Sequence, residues 1–128
     1  MWHRPMQRTR TWTTLLLAFT AACWVEEGKA QQAPERYVCD FRQTSSQEKL
    51  HIEYVYDRPR DKAFMIGNNG TSDVLAWPGS RLISFIELVG SGAVQTTSID
   101  PKGNAIHSRH TYSGGFIQSQ EPGQCVRQ

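Results

Sequence analysis

Several features that mark a catalytic or metal-binding domain are missing from this chain of 128 residues. There is no Gly-x-Ser-x-Gly motif of a serine hydrolase, and no closely spaced cysteine pair that would bind zinc. Beyond residue 30, no window of eleven or more residues keeps the apolar period of a helix. These absences favour a non-enzymatic β domain, for which we predict no catalytic residue, no metal and no cofactor.

Clustered positive charge is missing as well, once the first 30 residues are set aside. The whole chain has 14 Lys and Arg residues against 12 Asp and Glu residues, whereas residues 31–128 have ten of each and a net charge of zero. Only Arg58 and Arg60 lie close together, and Asp57 and Asp61 flank them. Nucleic-acid binders need a clustered basic face, so we exclude nucleic acid as a partner.

The first 30 residues follow the pattern of a secretory signal. Three arginines precede an almost uncharged run from Thr11 to Val25, and the small residues Gly28 and Ala30 follow. This order of basic, apolar and small segments is typical of a cleaved leader. The run is shorter than the ~20 apolar residues that a membrane span needs.

We therefore predict a cleaved signal at residues 1–30, a flexible tail at 31–35 and a β domain at 36–128. The remaining chain should have no transmembrane span, and its location should be periplasmic or secreted. A lipid anchor on Cys23, which small residues precede, is the alternative.

Two of the three cysteines remain after the leader is removed, and they lie near the two ends of the remaining chain. In an oxidising compartment such a pair predicts a disulfide, here between Cys39 and Cys125. A bridge between these positions requires the first and last strands to be neighbours.

The rest of the sequence alternates short β-rich runs with turn residues, a rhythm typical of a β-sandwich or barrel. The predicted strands are Tyr37–Phe41, Lys49–Tyr56, Ala63–Gly67, Ser72–Trp77, Arg81–Val89, Ala93–Ile99, Asn104–Tyr112 and Phe116–Gln120. Short loops place sequential strands side by side. The predicted fold is thus all-β, a small antiparallel meander barrel of about eight strands closed by one disulfide.

Three turns should fix the register of neighbouring strands. Asn69-Gly70 predicts a type I′ hairpin turn that places Met65 opposite Val74. Pro78-Gly79 predicts a type II turn. Asp100 to Gly103 predicts a type I turn with a bulge at the glycine, which pairs Thr97 with His107, Ile99 with Ala105, Gln95 with Arg109 and Ala93 with Thr111.

The hairpin over residues 93–112 holds the densest polar chemistry, and neither of its faces is cleanly apolar. It therefore either covers a hydrated interior or forms a half-exposed edge. We predict a binding role for four of its residues: Ser108, Arg109, His110 and Tyr112. His107 and His110 should point to opposite faces, so they should not share a metal.

Aromatic residues supply the remaining candidates. Tyr54, Tyr56 and Phe64 are predicted in the core from the alternation of their strands. Trp77 and Tyr112 are either exposed anchors for a partner or part of the core and barrel rim, which is the interpretation that we favour.

Parts of the last third of the chain resemble short exported bacterial proteins of unknown function. The resemblance lies in Phe85-Ile86-Glu87, Gln95-Thr96-Thr97, Ala105-Ile106-His107-Ser108-Arg109-His110, Gln118-Ser119-Gln120 and Gly123-Gln124-Cys125. It implies a bacterial, periplasmic home and no particular activity.

The layout of leader, about eight strands and terminal disulfide is also similar to the small-barrel inhibitors of C-type lysozyme. Those inhibitors carry a Ser-Gly-x-x-Tyr loop. Neither Ser91-Gly92 nor Ser113-Gly114 is followed by the tyrosine at that spacing.

These observations favour a non-enzymatic exported domain that binds an unidentified protein or small-molecule ligand. An inhibitor of a lysozyme-like wall hydrolase is one alternative, and a small hydrolase that uses Ser108 and His110 is another. An interior filled by side chains would argue for a surface partner rather than a small molecule.

Overall fold

Eight β-strands follow one another along residues 31–43 and 48–128, which are the residues that the computed structural model describes. The strands are β1 (Glu35–Arg42), β2 (Lys49–Asp57), β3 (Lys62–Gly67), β4 (Gly70–Pro78), β5 (Ile83–Leu88), β6 (Val94–Ile99), β7 (Asn104–Tyr112) and β8 (Phe116–Arg127). One 3-10 turn, Arg58–Arg60, joins β2 to β3. None of the helical structure in these ranges could span a membrane. The predicted leader and Cys23 lie outside the described residues.

Each strand pairs antiparallel with the next, and β8 pairs with β1, so the sheet closes into an eight-stranded barrel. The predicted meander barrel is confirmed. The predicted flexible tail extended to residue 35, whereas β1 already begins with Glu35. The Glu35 side chain is buried, because it lies inside the barrel rim.

The predicted disulfide is also confirmed, and it lies within the ladder that closes the barrel. Cys39 of β1 stands directly opposite Cys125 of β8, with their Cα atoms 4.0 Å apart. Both residues are buried, so the bridge crosses the seam on the inner face of the sheet.

Inner and outer faces alternate along the strands, as a closed sheet requires. In β2 the predicted apolar side is the inner side, where Ile52, Tyr54 and Tyr56 are buried. Phe64 was predicted in the core and is instead 37% exposed, because it is the neighbour of the inward Ala63 and so faces out.

Aromatic rings occupy the axis of the barrel. The ring of Tyr54 stacks on that of Phe85 with 4.4 Å between centroids. Tyr37 packs edge-on against Phe85, and Phe41 lies 5.4 Å from the ring of His107. An eight-stranded barrel is just wide enough for side chains to fill it, and these rings fill the middle of this one.

The β6–β7 turn forms as predicted. Gly103 donates its N–H to the carbonyl oxygen of Asp100 at 3.0 Å and has a φ of 86°. The predicted pairs of Thr97 with His107, Ile99 with Ala105, and Gln95 with Arg109 all occur, whereas the ladder ends at Val94 and His110 and does not reach Ala93 and Thr111.

The other two predicted turns are wrong. Gly67 pairs with Gly70, so that Asn68 and Asn69 form the loop, and Gly70 follows it with a φ of 115°. A glycine bulge after the loop replaces the two positive φ angles of a type I′ turn. Met65 therefore faces Ser72 rather than Val74, a shift of two residues that leaves every side chain on its predicted face.

At the next connection, Pro78 still pairs with Ile83 and ends β4. Gly79 lacks the positive φ that a type II turn requires. Instead, its N–H donates to the carbonyl oxygen of Leu82 at 2.7 Å, which closes a four-residue loop over residues 79–82.

The meander gives the barrel two different ends. The β3–β4, β5–β6 and β7–β8 turns lie at one end, which we call the tip end. The β2–β3, β4–β5 and β6–β7 connections lie at the other, together with the start of β1 and the end of β8, and we call it the mouth end.

Candidate functional site

Three of the four predicted binding residues lie on one face of β7. Ser108, His110 and Tyr112 alternate with the inward residues His107 and Arg109, so they line the outer surface. Arg109 is separated from them by the sheet itself.

The strand partners of these residues in β8 extend the same surface. Tyr112 pairs with Phe116, His110 with Gln118, and Ser108 with Gln120. Ile106, one step further along β7, is 52% exposed. We call these seven residues the hairpin face: Ile106, Ser108, His110, Tyr112, Phe116, Gln118 and Gln120. The hairpin face has two ionisable side chains, the imidazole of His110 and the phenol of Tyr112.

The tip of the β7–β8 hairpin carries two exposed aromatic rings. Tyr112 is 71% exposed and Phe116 is 91% exposed. Their rings meet edge to face with 5.6 Å between centroids. We favoured placing Tyr112 and Trp77 in the core and barrel rim. Neither residue lies in the core, because the Tyr112 ring faces solvent and Trp77 is 72% exposed.

The tip projects past the strands on either side of it. The last residue of β7 that pairs with β6 is His110, and the first residue of β8 that pairs with β1 is Gly123. Tyr112 and Phe116 thus have only each other as strand neighbours in the described ladders. The turn is held by the Ser113 N–H, which donates to the carbonyl oxygen of Gly115 at 3.0 Å, and by Gly114 with a φ of 68°.

In the described ladders, Ser108 and His110 have no acidic strand partner. Their cross-strand neighbours on β6 are Thr96 and Val94. Those on β8 are glutamines, so no strand partner supplies the carboxylate that orients a catalytic histidine.

Inside the barrel, β2, β6 and β7 bring together a polar group that the sequence did not reveal. Tyr54 Oη and Thr97 Oγ1 lie 2.6 Å apart and share a hydrogen bond. Thr97 Oγ1 is also 2.9 Å from Nδ1 of His107. We call Tyr54, Thr97 and His107 the buried relay. The predicted pairing of Thr97 with His107 placed these two relay residues side by side. Both faces of the β6–β7 hairpin are of mixed polarity, so the sequence did not indicate which face points into the barrel.

His107 is almost fully enclosed, with 1% of its surface exposed. Burial lowers the pKa of its imidazole to about 4, and the nearby positive charge of Arg109 acts in the same direction against the opposing effect of Glu121. Within the described residues, Nε2 of His107 and Nε of Arg109 have no hydrogen-bond partner. Burial likewise raises the pKa of the Tyr54 phenol to about 12. The relay is thus neutral around pH 7.

A network of ion pairs covers the outer surface of β1 and β2. Arg36 pairs with Glu53, and His51 lies 2.8 Å from Asp40. The hydrogen bond to Asp40 raises the pKa of His51, and the one from Arg36 lowers the pKa of Glu53. Exposed pairs of this kind contribute little to stability, and they distinguish this charged surface from the hairpin face.

Comparison with protein-family models, curated proteins and solved structures finds no match to this chain.

Proposed function

We propose that this chain is a non-enzymatic, exported binding domain that recognises a protein partner through the hairpin face. The observation that carries the proposal is the exposed aromatic pair of Tyr112 and Phe116 at a projecting tip. Aromatic side chains dominate the energetics of protein interfaces. Two large rings held in solvent by a tight turn are ready to enter a pocket on a partner.

The surroundings of the rings support a protein as the occupant. Interface centres are depleted in charged residues and have a polar rim, and the hairpin face offers Ser108, Gln118 and Gln120 beside the rings. Lysine and arginine, which would favour an anionic lipid surface, do not occur on it. The aromatic filling of the barrel axis also favours a surface partner over a small molecule held inside.

The Cys39–Cys125 bridge supports export, since disulfides persist mainly in oxidising compartments. Together with the signal-like residues 1–30, it leads us to propose a periplasmic or secreted location.

Site-specific photo-crosslinking in envelope extract tests the proposal. A photoreactive residue replacing Phe116 should give one discrete adduct with a second protein, and the same residue replacing the equally aromatic and exposed Trp77 should not. With the adducted protein purified, Tyr112→Ala should weaken binding by about tenfold or more, and Trp77→Ala should leave it unchanged. Adducts at both positions, adducts only between two copies of this chain, or unchanged affinity in Tyr112→Ala would overturn the proposal.

The inhibitor of a lysozyme-like wall hydrolase is a narrower form of the same idea. The projecting turn of residues 113–115, flanked by two aromatic rings, has a shape that suits insertion into an enzyme cleft. The purified protein should then inhibit a C-type lysozyme, and a Gly114→Ala substitution at its positive φ should reduce inhibition. If the protein does not inhibit lysozyme, the inhibitor hypothesis is wrong. The broader proposal of a protein partner is then tested by the crosslinking experiment alone.

A further inference from the structure

The mouth end of the barrel opens into a cleft of about 620 Å³. Ile83, Ile99 and Tyr37 supply its apolar floor, and four cationic residues stand around it: Arg58, Arg81, Lys102 and Arg127. The volume is within the range of ligand sites, ~300–1,000 Å³, and barrel mouths are a preferred location for such sites. A chain of zero net charge beyond residue 30 thus concentrates four of its ten basic residues around one opening.

Among the described residues that line the cleft, Asp100 is the one that is acidic, and its oxygens accept hydrogen bonds within its own turn. Oδ1 accepts the backbone N–H groups of Lys102 and Asn104, both at 2.8 Å, and Oδ2 accepts the Asn104 amide at 2.8 Å. These hydrogen bonds, the one from the Asn104 side chain above all, lower the pKa of the Asp100 carboxyl. Asp100 is therefore part of the turn, and among the ion pairs of the described residues none joins it to Arg81.

Behind the cleft, Glu35 anchors two of the four cations. Arg58 Nε lies 2.9 Å from Glu35 Oε1, and Arg127 Nη2 lies 3.2 Å from the same oxygen. Tyr37 donates its phenolic O–H to Oε2 at 2.7 Å. The hydrogen bond from Arg58 holds the pKa of Glu35 below its ordinary value. One buried carboxylate therefore positions two guanidinium groups at the rim.

The other two cations stand on loops that the backbone holds in place. Arg81 lies in the loop closed by the hydrogen bond between Gly79 and Leu82. Lys102 lies in the turn whose Gly103 carbonyl oxygen accepts the N–H of Cys125 at 2.8 Å. Among the described residues, neither Arg81 nor Lys102 takes part in an ion pair. Two cations outside any such ion pair thus line the cleft together with its apolar residues. Lys102 interacts electrostatically with Asp100, whose oxygens already accept hydrogen bonds within the turn.

From this arrangement we infer that the mouth cleft is a binding site for a small organic anion, with a phosphate or carboxylate group at Arg81 and Lys102 and an apolar body on the floor. Charge-assisted hydrogen bonds from a guanidinium fork and an ammonium match such a group. The site lies at the opposite end of the barrel from the rings of Tyr112 and Phe116, so it does not depend on the proposed protein partner.

Titration calorimetry with phenyl phosphate, benzoate and inorganic phosphate tests the inference on the disulfide-bonded protein. At least one of the two aromatic anions should bind saturably with a Kd of about 1 mM or tighter. Inorganic phosphate, which lacks the apolar body, should bind at least about tenfold more weakly. Comparison of phenyl phosphate with benzoate distinguishes a phosphate site from a carboxylate site.

Arg81→Gln and Lys102→Gln should each weaken binding by about tenfold. Lys49→Gln is the matched control, because it removes one positive charge at the start of β2, at the tip end, and it should leave the Kd unchanged. Both cations are exposed, so these variants should fold. The inference is overturned if no aromatic anion saturates, if inorganic phosphate binds as tightly as phenyl phosphate, or if Lys49→Gln weakens binding as much as Arg81→Gln.

Discussion

Acidification should destabilise this barrel through His107, at a pH where its carboxyl groups are still ionised. In the folded protein the pKa of the imidazole is about 4, against 6.5 for an unperturbed histidine. Between these values the unfolded chain binds a proton that the folded chain excludes. The free energy of unfolding must therefore fall as the pH falls through this window.

The size of the effect follows from the two pKa values. Each pKa unit corresponds to about 1.4 kcal/mol, so the full contribution of His107 is about 3 kcal/mol by pH 4. Between pH 7 and pH 5 the expected loss is about 2 kcal/mol. For a small domain with a total stability of ~5–15 kcal/mol, that loss is readily measured.

Other groups with shifted pKa values have to be separated from His107, among them His51 and Glu35. The pKa of His51 is raised, so its stabilising contribution is present at low pH and is lost as the pH rises through its folded value. The pKa of Glu35 is lowered from 4.5, and its contribution is lost below that value. Measurement at pH 7, 6 and 5 avoids the carboxyl range, and subtraction of a variant removes the effect of His51.

Urea unfolding of the wild type, His107→Gln and His110→Gln supplies the comparison. The wild type and His110→Gln, whose imidazole lies on the outer surface, should lose about 2 kcal/mol more between pH 7 and pH 5 than His107→Gln does. An equal loss in all three proteins would refute the reasoning. If His107→Gln does not fold, an NMR titration of the wild-type ring decides the matter, since a midpoint near 6.5 contradicts a buried neutral imidazole.

Two further predictions concern the seam and the turns. Replacement of Cys39 and Cys125 by alanine should lower the free energy of unfolding by about 4 to 5 kcal/mol in the chain-entropy model, given their separation of 86 residues; a loss below about 1 kcal/mol in urea unfolding would contradict it. Gly103→Ala should cost at least about 1 kcal/mol more than Gly92→Ala, because both glycines have a φ near 87° but only at Gly103 would a Cβ collide with the Cys125 carbonyl oxygen. Equal thermal midpoints would contradict that difference.

Features of the fold could be predicted where a single local pattern, such as polar–apolar alternation or a turn sequence, determines the structure. Alternation in β2 indicated its inner face because that face is apolar and the other is polar. The β6–β7 register followed from the turn at Gly103, since the bulged turn fixes the pairing of both strands. The β3–β4 register was displaced because Asn68, Asn69 and Gly70 accommodate two turn types, and the local sequence does not choose between them.

The candidate sites were less predictable, for a physical reason. Thr97 and His107 look like surface residues in sequence, and only closure of the sheet encloses them. The mouth cleft joins Arg58, Arg81 and Arg127 from three distant parts of the chain, so no local pattern contains it. Tyr112 was identified as a candidate from its residue type, but its exposure depends on how far the hairpin projects past its neighbours.

The ladder between β1 and β8 also determines the order in which the molecule can assemble. Along the described meander every other ladder joins consecutive strands, which can pair as soon as both have been synthesised. The closing ladder has to wait for residues 123–127, because these residues of β8 pair with β1. During synthesis Cys39 therefore emerges 86 residues before Cys125, and the native bridge can form only in a chain that has been made at least as far as β8.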